Sequence, residues 1–263
     1  MTTTTVAPVP SPLYQWWVLS VRTLIPAIRG GELVTALVAP LVFTVGFYVP
    51  LQRVIALFTG GTVDYGQFLM PLIALQAVSF TAISAAFLAA TDAVHGIDRR
   101  FATMPIAAAV PLAARLSASA VKCALSLSAA IGCGHVIGFR FAGTAAAVGF
   151  CALALTVGMV LTLGADVIGT LFRSPEATTQ ALMLPQLVLG MLSCGFVPID
   201  QFPAWIQPFV RNQPVSQFAS SLRGLADGTA TATATALTPT LLWLGGILLV
   251  VVPLAARTNR RQR

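Results

Sequence analysis

The chain has 263 residues, of which 57% are hydrophobic and only 9% are charged, and its net charge is +7. A soluble domain carries about a quarter charged residues, and a disordered chain combines low hydrophobicity with high charge, so the composition excludes both classes. The apolar runs are continuous rather than alternating, which argues against a membrane β-barrel. The composition therefore predicts an all-α integral membrane protein, whose basic residues face an anionic membrane leaflet rather than nucleic acid.

Two segments precede the first long apolar run. Residues 1–12 are rich in Thr and Pro and are predicted to be a disordered leader. Residues 13–31 contain Trp16 and Trp17 but also two arginines, and they are too short and too charged to cross a bilayer. Aromatic and basic side chains on one short segment are typical of a helix that lies in the membrane interface. We therefore expect an interfacial elbow helix over residues 13–31.

Six apolar runs of spanning length follow in residues 32–256, which we interpret as a single membrane domain. A transmembrane helix needs about 20 predominantly apolar residues. The runs occupy residues 33–51, 68–90, 112–137, 143–164 (or as far as 172), 181–197 and 237–256. The sequence thus predicts six transmembrane helices, followed by a basic cytoplasmic tail at residues 257–263.

The connection between the fifth and sixth spans, residues 198–228, is rich in Pro and aromatic residues and too interrupted to form a span. Phe202, Trp205, Ile206 and Phe209 recur there at near-helical spacing. Trp and Phe beside polar groups favour the membrane–water interface. We therefore expect short re-entrant or outer-surface helices between spans five and six.

The distribution of arginine predicts the orientation of the spans. With the N-terminus inside, ten arginines fall in inner segments and four in outer segments. Cytoplasmic loops carry an excess of basic residues, so both termini are predicted to lie in the cytoplasm. The inner arginines are Arg22, Arg29, Arg99, Arg100, Arg115, Arg173, Arg257, Arg260, Arg261 and Arg263, and the outer ones are Arg53, Arg140, Arg211 and Arg223.

Two stretches of the chain resemble a known family. The first is the acidic, Gly-containing segment at 92–105, which ends in Thr-Met-Pro. The second runs from Gly195 to Phe209, contains Pro-Ala-Trp, and continues through Asn-Gln-Pro at 212–214 and Ser-Leu-Arg-Gly at 221–224. Their order and spacing resemble the ABC-2 type permeases, the membrane subunits of many bacterial ABC exporters. Within that family, the chain is similar to the daunorubicin-resistance type permeases of actinobacteria.

This resemblance implies a permease subunit of an ATP-driven exporter in the bacterial plasma membrane. Its substrate is expected to be hydrophobic or amphipathic, such as a complex lipid or a drug. The resemblance also implies a second permease subunit, identical or different, and two copies of an ATP-binding subunit that holds ATP and Mg²⁺, with membrane lipids around the complex.

The sequence independently indicates that the motor is a separate subunit. It contains no G-x-x-x-x-G-K-[ST] loop, and its single lysine, Lys122, lies in an apolar run. With only two histidines, a metal site of three or four ligands is not expected. The chain is therefore predicted to have no catalytic residues, no cofactor and no metal of its own.

The loop after the second span is the first candidate site. The resemblance implies that it forms a coupling helix, which inserts into a groove of the ATP-binding subunit while its charges set the register. The residues assigned to this contact are Asp92, Gly96, Asp98, Arg99, Arg100 and Phe101. The alternative is an ordinary solvated loop whose arginines follow the positive-inside bias.

Polar and aromatic side chains in spans one, two and five form the second candidate site. These spans carry few polar groups, so a substrate pathway between them is predicted to be apolar. The candidates for lining it are Phe43, Phe47, Gln76, Ser79, Phe80, Gln186 and Ser193. The same residues suit helix packing or lipid contact equally well, and that alternative is left open.

Lys122 and Asp166 are the ionisable residues in the predicted membrane interior, on spans three and four. An unpaired charge there costs about 3 kcal/mol, so we expect an ion pair between them. The alternative is that Lys122 extends to the inner leaflet and Asp166 lies in water. The alternative function is a self-contained secondary carrier or channel for a small hydrophobic solute, although carriers usually place more ionisable groups at the midplane.

Overall fold

The computed structural model of the protein describes residues 11–59, 64–107, 109–172, 174–229 and 234–261, and all regular structure in these ranges is helical. In chain order the helices are α1 (Pro12–Arg29), α2 (Glu32–Phe43), a π-helical segment (Thr44–Tyr48), α3 (Val49–Thr59), α4 (Tyr65–Val94), α5 (Ile97–Ala102), α6 (Val110–Val136), α7 (Thr144–Phe172), α8 (Pro175–Met191), a 3-10 turn (Ile199–Gln201), α9 (Gln207–Asn212), α10 (Pro214–Ala226) and α11 (Ala234–Arg261). The first ten residues of the predicted leader lie outside the described residues. The last two form the start of the first helix: Pro12 is the first residue of α1, and the Ser11 hydroxyl accepts the Tyr14 backbone N–H and caps the helix.

Five helical stretches are long and apolar enough to cross a membrane within the described part of the chain. They are Glu32–Val54, Tyr65–Val94, Val110–Val136, Thr144–Phe172 and Leu237–Thr258. These stretches coincide with predicted spans one, two, three, four and six, so the prediction of an all-α, multi-pass membrane protein is confirmed. The first stretch runs through α2, the π-helical segment and into α3.

The predicted fifth span corresponds to α8, which is 17 residues long and begins earlier than expected. It starts at Pro175, a residue suited to the first position of a helix, rather than at position 181. It ends at Met191, and the chain turns there instead of remaining helical to position 197. The count of six spans therefore stays a prediction, as do the interfacial positions of α1, α9 and α10.

α4 lies at the centre of the bundle and packs against α6, α7 and α8. α7 approaches α4 closely because glycines occupy the contact. Gly158 lies against Val78, and a Cβ added at Gly169 would collide with the backbone carbonyl of Ala86. Small residues at such contacts let helix backbones come close together, which is how helices associate within lipid.

One end of the bundle, the α10 end, consists of the start of α4, the α6–α7 connection and α10. The Arg223 guanidinium stacks on the Phe68 ring at 3.9 Å and donates hydrogen bonds to the backbone carbonyls of Phe68 and Cys194. Burial lowers the pKa of Arg223, and the neighbouring Cys194 and Asp227 oppose that shift. A backbone hydrogen bond also joins the α6–α7 connection to the end of α10. These contacts fix α10 beside the start of α4.

The opposite end, the α1 end, consists of α1, α5 and the start of α6. The Trp16 indole N–H donates to the Ser117 hydroxyl at 3.0 Å. Gln15 exchanges hydrogen bonds with the backbone just before α6, and the Arg22 guanidinium lies 5.6 Å from the centre of the Phe101 ring. α1 therefore packs along the first turns of α6 and beside α5.

Candidate functional site

Several helices of the bundle leave much of their apolar surface uncovered by the described residues, and two of these exposed faces border cavities against α4. Large hydrophobic side chains are exposed over several turns on the α2–α3 stretch and on α8. They are Val34, Leu37, Val38, Leu41, Val42, Val45 and Val49 on the first stretch, and Met183, Leu184, Leu187, Val188 and Met191 on α8. α4 contacts both helices, and cavities lie between the three of them.

A cavity of about 380 Å³ lies between α2, α4 and α8, and we refer to it as the aromatic cavity. Phe43 lies 5.2 Å from Phe80 and 5.5 Å from Phe47 between ring centroids. Phe47 belongs to the π-helical segment, a feature that is frequent at functional sites, and lies 4.6 Å from Phe196. The four rings therefore form a continuous row of aromatic contacts along the cavity wall. The complete lining is Phe43, Phe47, Gln76, Phe80, Gln180, Met183, Leu184, Gln186, Leu187, Met191 and Phe196.

A hydrogen-bonded amide pair lies in the wall of the aromatic cavity. The Gln186 side-chain N–H donates to the Gln76 side-chain oxygen at 2.6 Å, and Gln76 is buried. Gly190 leaves room for the pair, since a Cβ there would lie 2.6 Å from the Gln76 amide nitrogen. The same pair borders a second apolar cavity of about 340 Å³, between α4, α7, α8, α10 and α11.

Five of the seven predicted lining residues surround the aromatic cavity, and two do not. Ser79 lines the second apolar cavity. Ser193 is fully buried, and its hydroxyl donates to the backbone carbonyl of Gly190 at the end of α8. Phe196 lines the aromatic cavity although the sequence did not point to it, because it lies after α8 in a turn without helical periodicity.

A third cavity, also of about 380 Å³, adjoins the aromatic cavity, and we refer to it as the inner compartment. The two cavities share Phe80 and Met183 in their walls. Both cavities are mainly apolar, but the lining of the inner compartment also includes several hydroxyl groups and an ion pair. Its lining is Glu32, Thr35, Ala36, Ala39, Phe80, Thr81, Ile83, Ser84, Phe87, Lys122, Ser126, Thr179 and Met183.

Among the described residues, Lys122 and Asp166 each belong to an ion pair near the inner compartment, and neither pair is the predicted one. The Lys122 ammonium lies 3.0 Å from a carboxylate oxygen of Glu32. The Arg115 guanidinium lies 2.9 Å from the carboxylate of Asp166. The predicted pair of Lys122 with Asp166 is therefore wrong. Arg115 precedes Lys122 by two helical turns on the same face of α6, and it takes the α7 carboxylate, so that Lys122 pairs with the first turn of α2.

Both ion pairs line a charged pocket of about 230 Å³ at the α1 end, between α1, α4, α5, α6 and α7. Its charged members are Arg22, Glu32, Asp92, Arg115, Lys122 and Asp166. Asp92 and Phe101, two of the predicted coupling residues, line this pocket. The pocket therefore connects the predicted coupling loop to the buried charges of α6 and α7.

The predicted coupling segment contains the short helix α5 at the α1 end. Gly96 precedes this helix with a φ of 67°, a left-handed conformation that glycine adopts without steric cost. Arg100 is exposed, whereas Phe101 is half-buried beneath the Arg22 guanidinium. The side chains of Asp98 and Arg99 lie outside the described ones.

Comparison with known proteins finds relatives along most of the chain. It is 44% identical to the doxorubicin resistance ABC transporter permease protein DrrB of Mycobacterium tuberculosis, over 90% of this chain and 86% of that protein. It is 30% identical to the probable doxorubicin resistance ABC transporter permease protein DrrC of the same organism, over 86% of this chain and 80% of that protein. The daunorubicin resistance ABC transporter permease protein DrrB1 of Streptomyces coeruleorubidus is 26% identical, over 76% of this chain and 70% of that protein. No protein-family model and no solved structure matches.

Proposed function

The chain belongs to the ABC-2 type permease family, among the drug-resistance permeases, and we propose that it forms the membrane pathway of an exporter for hydrophobic or amphipathic drugs or lipids. The observation that carries this proposal is the aromatic cavity. Small-molecule sites are typically apolar cavities of about 300–1,000 Å³ with a few convergent polar groups. The row of four rings and the hydrogen-bonded Gln76–Gln186 pair fit that description.

The exposed faces of α2 and α8 support a second permease subunit. The aromatic cavity lies between these faces, and large apolar side chains border it on both sides. A partner with a similar apolar face would close the cavity and bury those side chains, while the rest of the bundle surface contacts lipid. DrrB and DrrC are both permeases of one organism, so the partner is either a second copy of this chain or a related permease.

The exposure and contacts of α5 support the proposal that a separate ATP-binding subunit docks here. We expect two copies of that subunit. α5 exposes Arg100 and packs Phe101 against Arg22 of α1, so a displacement of α5 would be transmitted to α1 and to the charged pocket. ATP and Mg²⁺ would be bound by that partner, since the chain has no phosphate-binding loop.

We further propose that α8 is a sixth span, which would leave both termini in the cytoplasm. Thr179, near the start of α8, lines the inner compartment together with Glu32. Met191, at its end, lines the aromatic cavity together with Phe196, whose backbone carbonyl accepts the Tyr65 hydroxyl at the α10 end. α8 therefore runs toward the α10 end, and α9 and α10 would be the outer re-entrant helices while α1 would be the inner elbow helix.

The test is doxorubicin-stimulated ATP hydrolysis by the reconstituted complex of this permease, its second subunit and the ATP-binding subunit. Phe47→Ala and Phe80→Ala should each weaken the stimulation about tenfold, because each removes a ring that would contact the substrate, worth about 1.5 kcal/mol of apolar contact. Phe209→Ala removes an exposed ring on α9 and is the matched control. Transport that is insensitive to vanadate and needs no ATP-binding subunit would instead favour the self-contained carrier.

A further inference from the structure

The inner compartment is lined by the Glu32 carboxylate, and only one of its two oxygens contacts Lys122. One oxygen of Glu32, Oε2, lies 3.0 Å from the Lys122 ammonium. The other oxygen, Oε1, has no hydrogen-bond partner within the described part of the chain. The Glu32 side chain is 31% exposed, whereas the Lys122 side chain is 3% exposed. The Glu32 carboxylate, the acceptor of this ion pair, is therefore partly exposed, whereas the Lys122 ammonium, its donor, is buried.

The hydroxyl groups that line the inner compartment add further hydrogen-bond acceptors to the Glu32 carboxylate. Four of them already donate their proton to a backbone carbonyl: Thr35 to Glu32, Thr81 to Ala77, Ser126 to Ala77 and Thr179 to Pro175. A hydroxyl whose proton is engaged in this way still offers oxygen lone pairs, so it can act only as an acceptor toward a ligand. Because acceptors dominate its polar surface, the compartment suits a ligand group that carries donors and positive charge.

We propose that the inner compartment is a cation-recognition site and that Glu32 is its specificity-determining residue. This inference rests on the proposed function: the substrate would place an apolar or aromatic body in the aromatic cavity and a cationic group, such as a protonated amine, beside Glu32. The two cavities are neighbours that share Phe80 and Met183 in their walls, and one bound molecule would extend past these two side chains. Phe80 and Phe87 also border the compartment, and aromatic faces attract cations.

In the absence of substrate, the Lys122 ammonium pairs with the Glu32 carboxylate. A buried ammonium without a partner is costly, and Glu32 compensates the buried Lys122 when no substrate is bound. A cationic substrate then shares the carboxylate with Lys122, so the lysine weakens binding of the cation. Removing Glu32 and removing Lys122 should therefore change cation affinity in opposite directions, a pattern that a purely structural ion pair does not produce.

The experiment compares two fluorescent probes of the same size, cationic 1-pyrenemethylamine and neutral 1-pyrenemethanol, binding to the purified permease–ATPase complex near pH 7. Glu32→Gln should weaken binding of the amine about tenfold or more, the usual effect of losing a charge-assisted hydrogen bond, and leave the alcohol unchanged. Lys122→Met should tighten binding of the amine and leave the alcohol unchanged. Glu176→Gln, which alters an exposed carboxylate at the start of α8, is the matched control.

The double variant Glu32→Gln/Lys122→Met removes both charges, so no unpaired buried lysine can destabilise the fold. It should bind the amine as weakly as Glu32→Gln does. If both variants that lack Glu32 bind the amine as the wild type does, the cation site is wrong while the proposed function stands. If the wild type binds neither probe and neither stimulates ATP hydrolysis, the inference and the proposed function both fail.

Discussion

Two basic side chains of α6 are each paired with a carboxylate from a different helix. Lys122 meets Glu32 of α2, and Arg115 meets Asp166 of α7. Removing one member of a buried ion pair leaves an uncompensated charge, which is much more costly than the pair itself is favourable. The two pairs therefore restrict how α2 and α7 can move relative to α6.

A double-mutant cycle tests the Arg115–Asp166 pair. Arg115→Met and Asp166→Asn should each lower the stability of the purified complex by about 3 kcal/mol, because each removes one member of this ion pair. The double variant should lose less than the sum, with a coupling energy above about 1 kcal/mol in thermal unfolding. The cycle of Lys122→Met with Asp166→Asn should be closer to additive. Additive losses at Arg115 and Asp166 would mean that this pair contributes nothing.

Side-chain chemistry predicted the aromatic cavity better than it predicted the ion pairs. Phe and Gln residues stand out within apolar runs, and several of them meet because α2, α4 and α8 are neighbours. The pairing of charges depends instead on the depth and rotation of each helix, which hydropathy does not specify. Glu32 stood at the boundary of the predicted first span, and Arg115 was assigned to an inner segment. The seven-residue spacing of Arg115 and Lys122 is enough to predict that both lie on one face of α6. It does not predict which carboxylates pair with them.

At the scale of whole helices, the contact of α4 with α7 depends on glycine. Gly169→Ala should destabilise the protein by about 1–3 kcal/mol, because its Cβ would meet the rigid backbone of Ala86. Alanine is otherwise the better helix former by about 1 kcal/mol, so a net loss identifies the steric contact. Gly164→Ala on the same helix meets only a methyl group of Val251 at 3.4 Å and should unfold close to the wild-type temperature. Equal melting temperatures for the two variants would contradict the close packing.

α5 is the element through which we expect ATP hydrolysis to be coupled to the bundle. Arg100→Glu should leave insertion and thermal stability unchanged, since Arg100 is exposed. It should nevertheless reduce substrate-stimulated ATP hydrolysis to the basal rate, because the reversed charge opposes the docking surface of the ATP-binding subunit. Arg257→Glu, which reverses an exposed charge near the end of α11, should keep full stimulation. If substrate still stimulates ATP hydrolysis fully in Arg100→Glu, α5 does not couple ATP hydrolysis to the bundle through Arg100.

For the whole molecule, hydropathy predicted the long spans and failed at α8. Five apolar runs are long and have few interruptions, so their positions follow from hydropathy alone. α8 has Pro175 at its first position and Pro185 inside it, and the chain leaves the helix after Met191. Beyond α8, the backbone of Cys194 and Phe196 is hydrogen-bonded to side chains of α4 and α10. These contacts are tertiary and cannot be recognised from a local pattern. The structure of this region therefore could not be predicted from the sequence.

The remaining question at this scale is whether α8 crosses the membrane, and site-directed labelling answers it. α8 has 17 residues, about 26 Å at 1.5 Å per residue, close to the roughly 30 Å of a hydrocarbon core. In a variant without the four free cysteines, Cys123, Cys133, Cys151 and Cys194, a membrane-impermeant thiol reagent should label Ala204→Cys in intact cells. Glu176→Cys should react only after permeabilisation, as should Arg257→Cys, because six crossings place both on the cytoplasmic side. Labelling of Glu176→Cys and Ala204→Cys from the same side would leave five spans and put the two termini on opposite sides of the membrane.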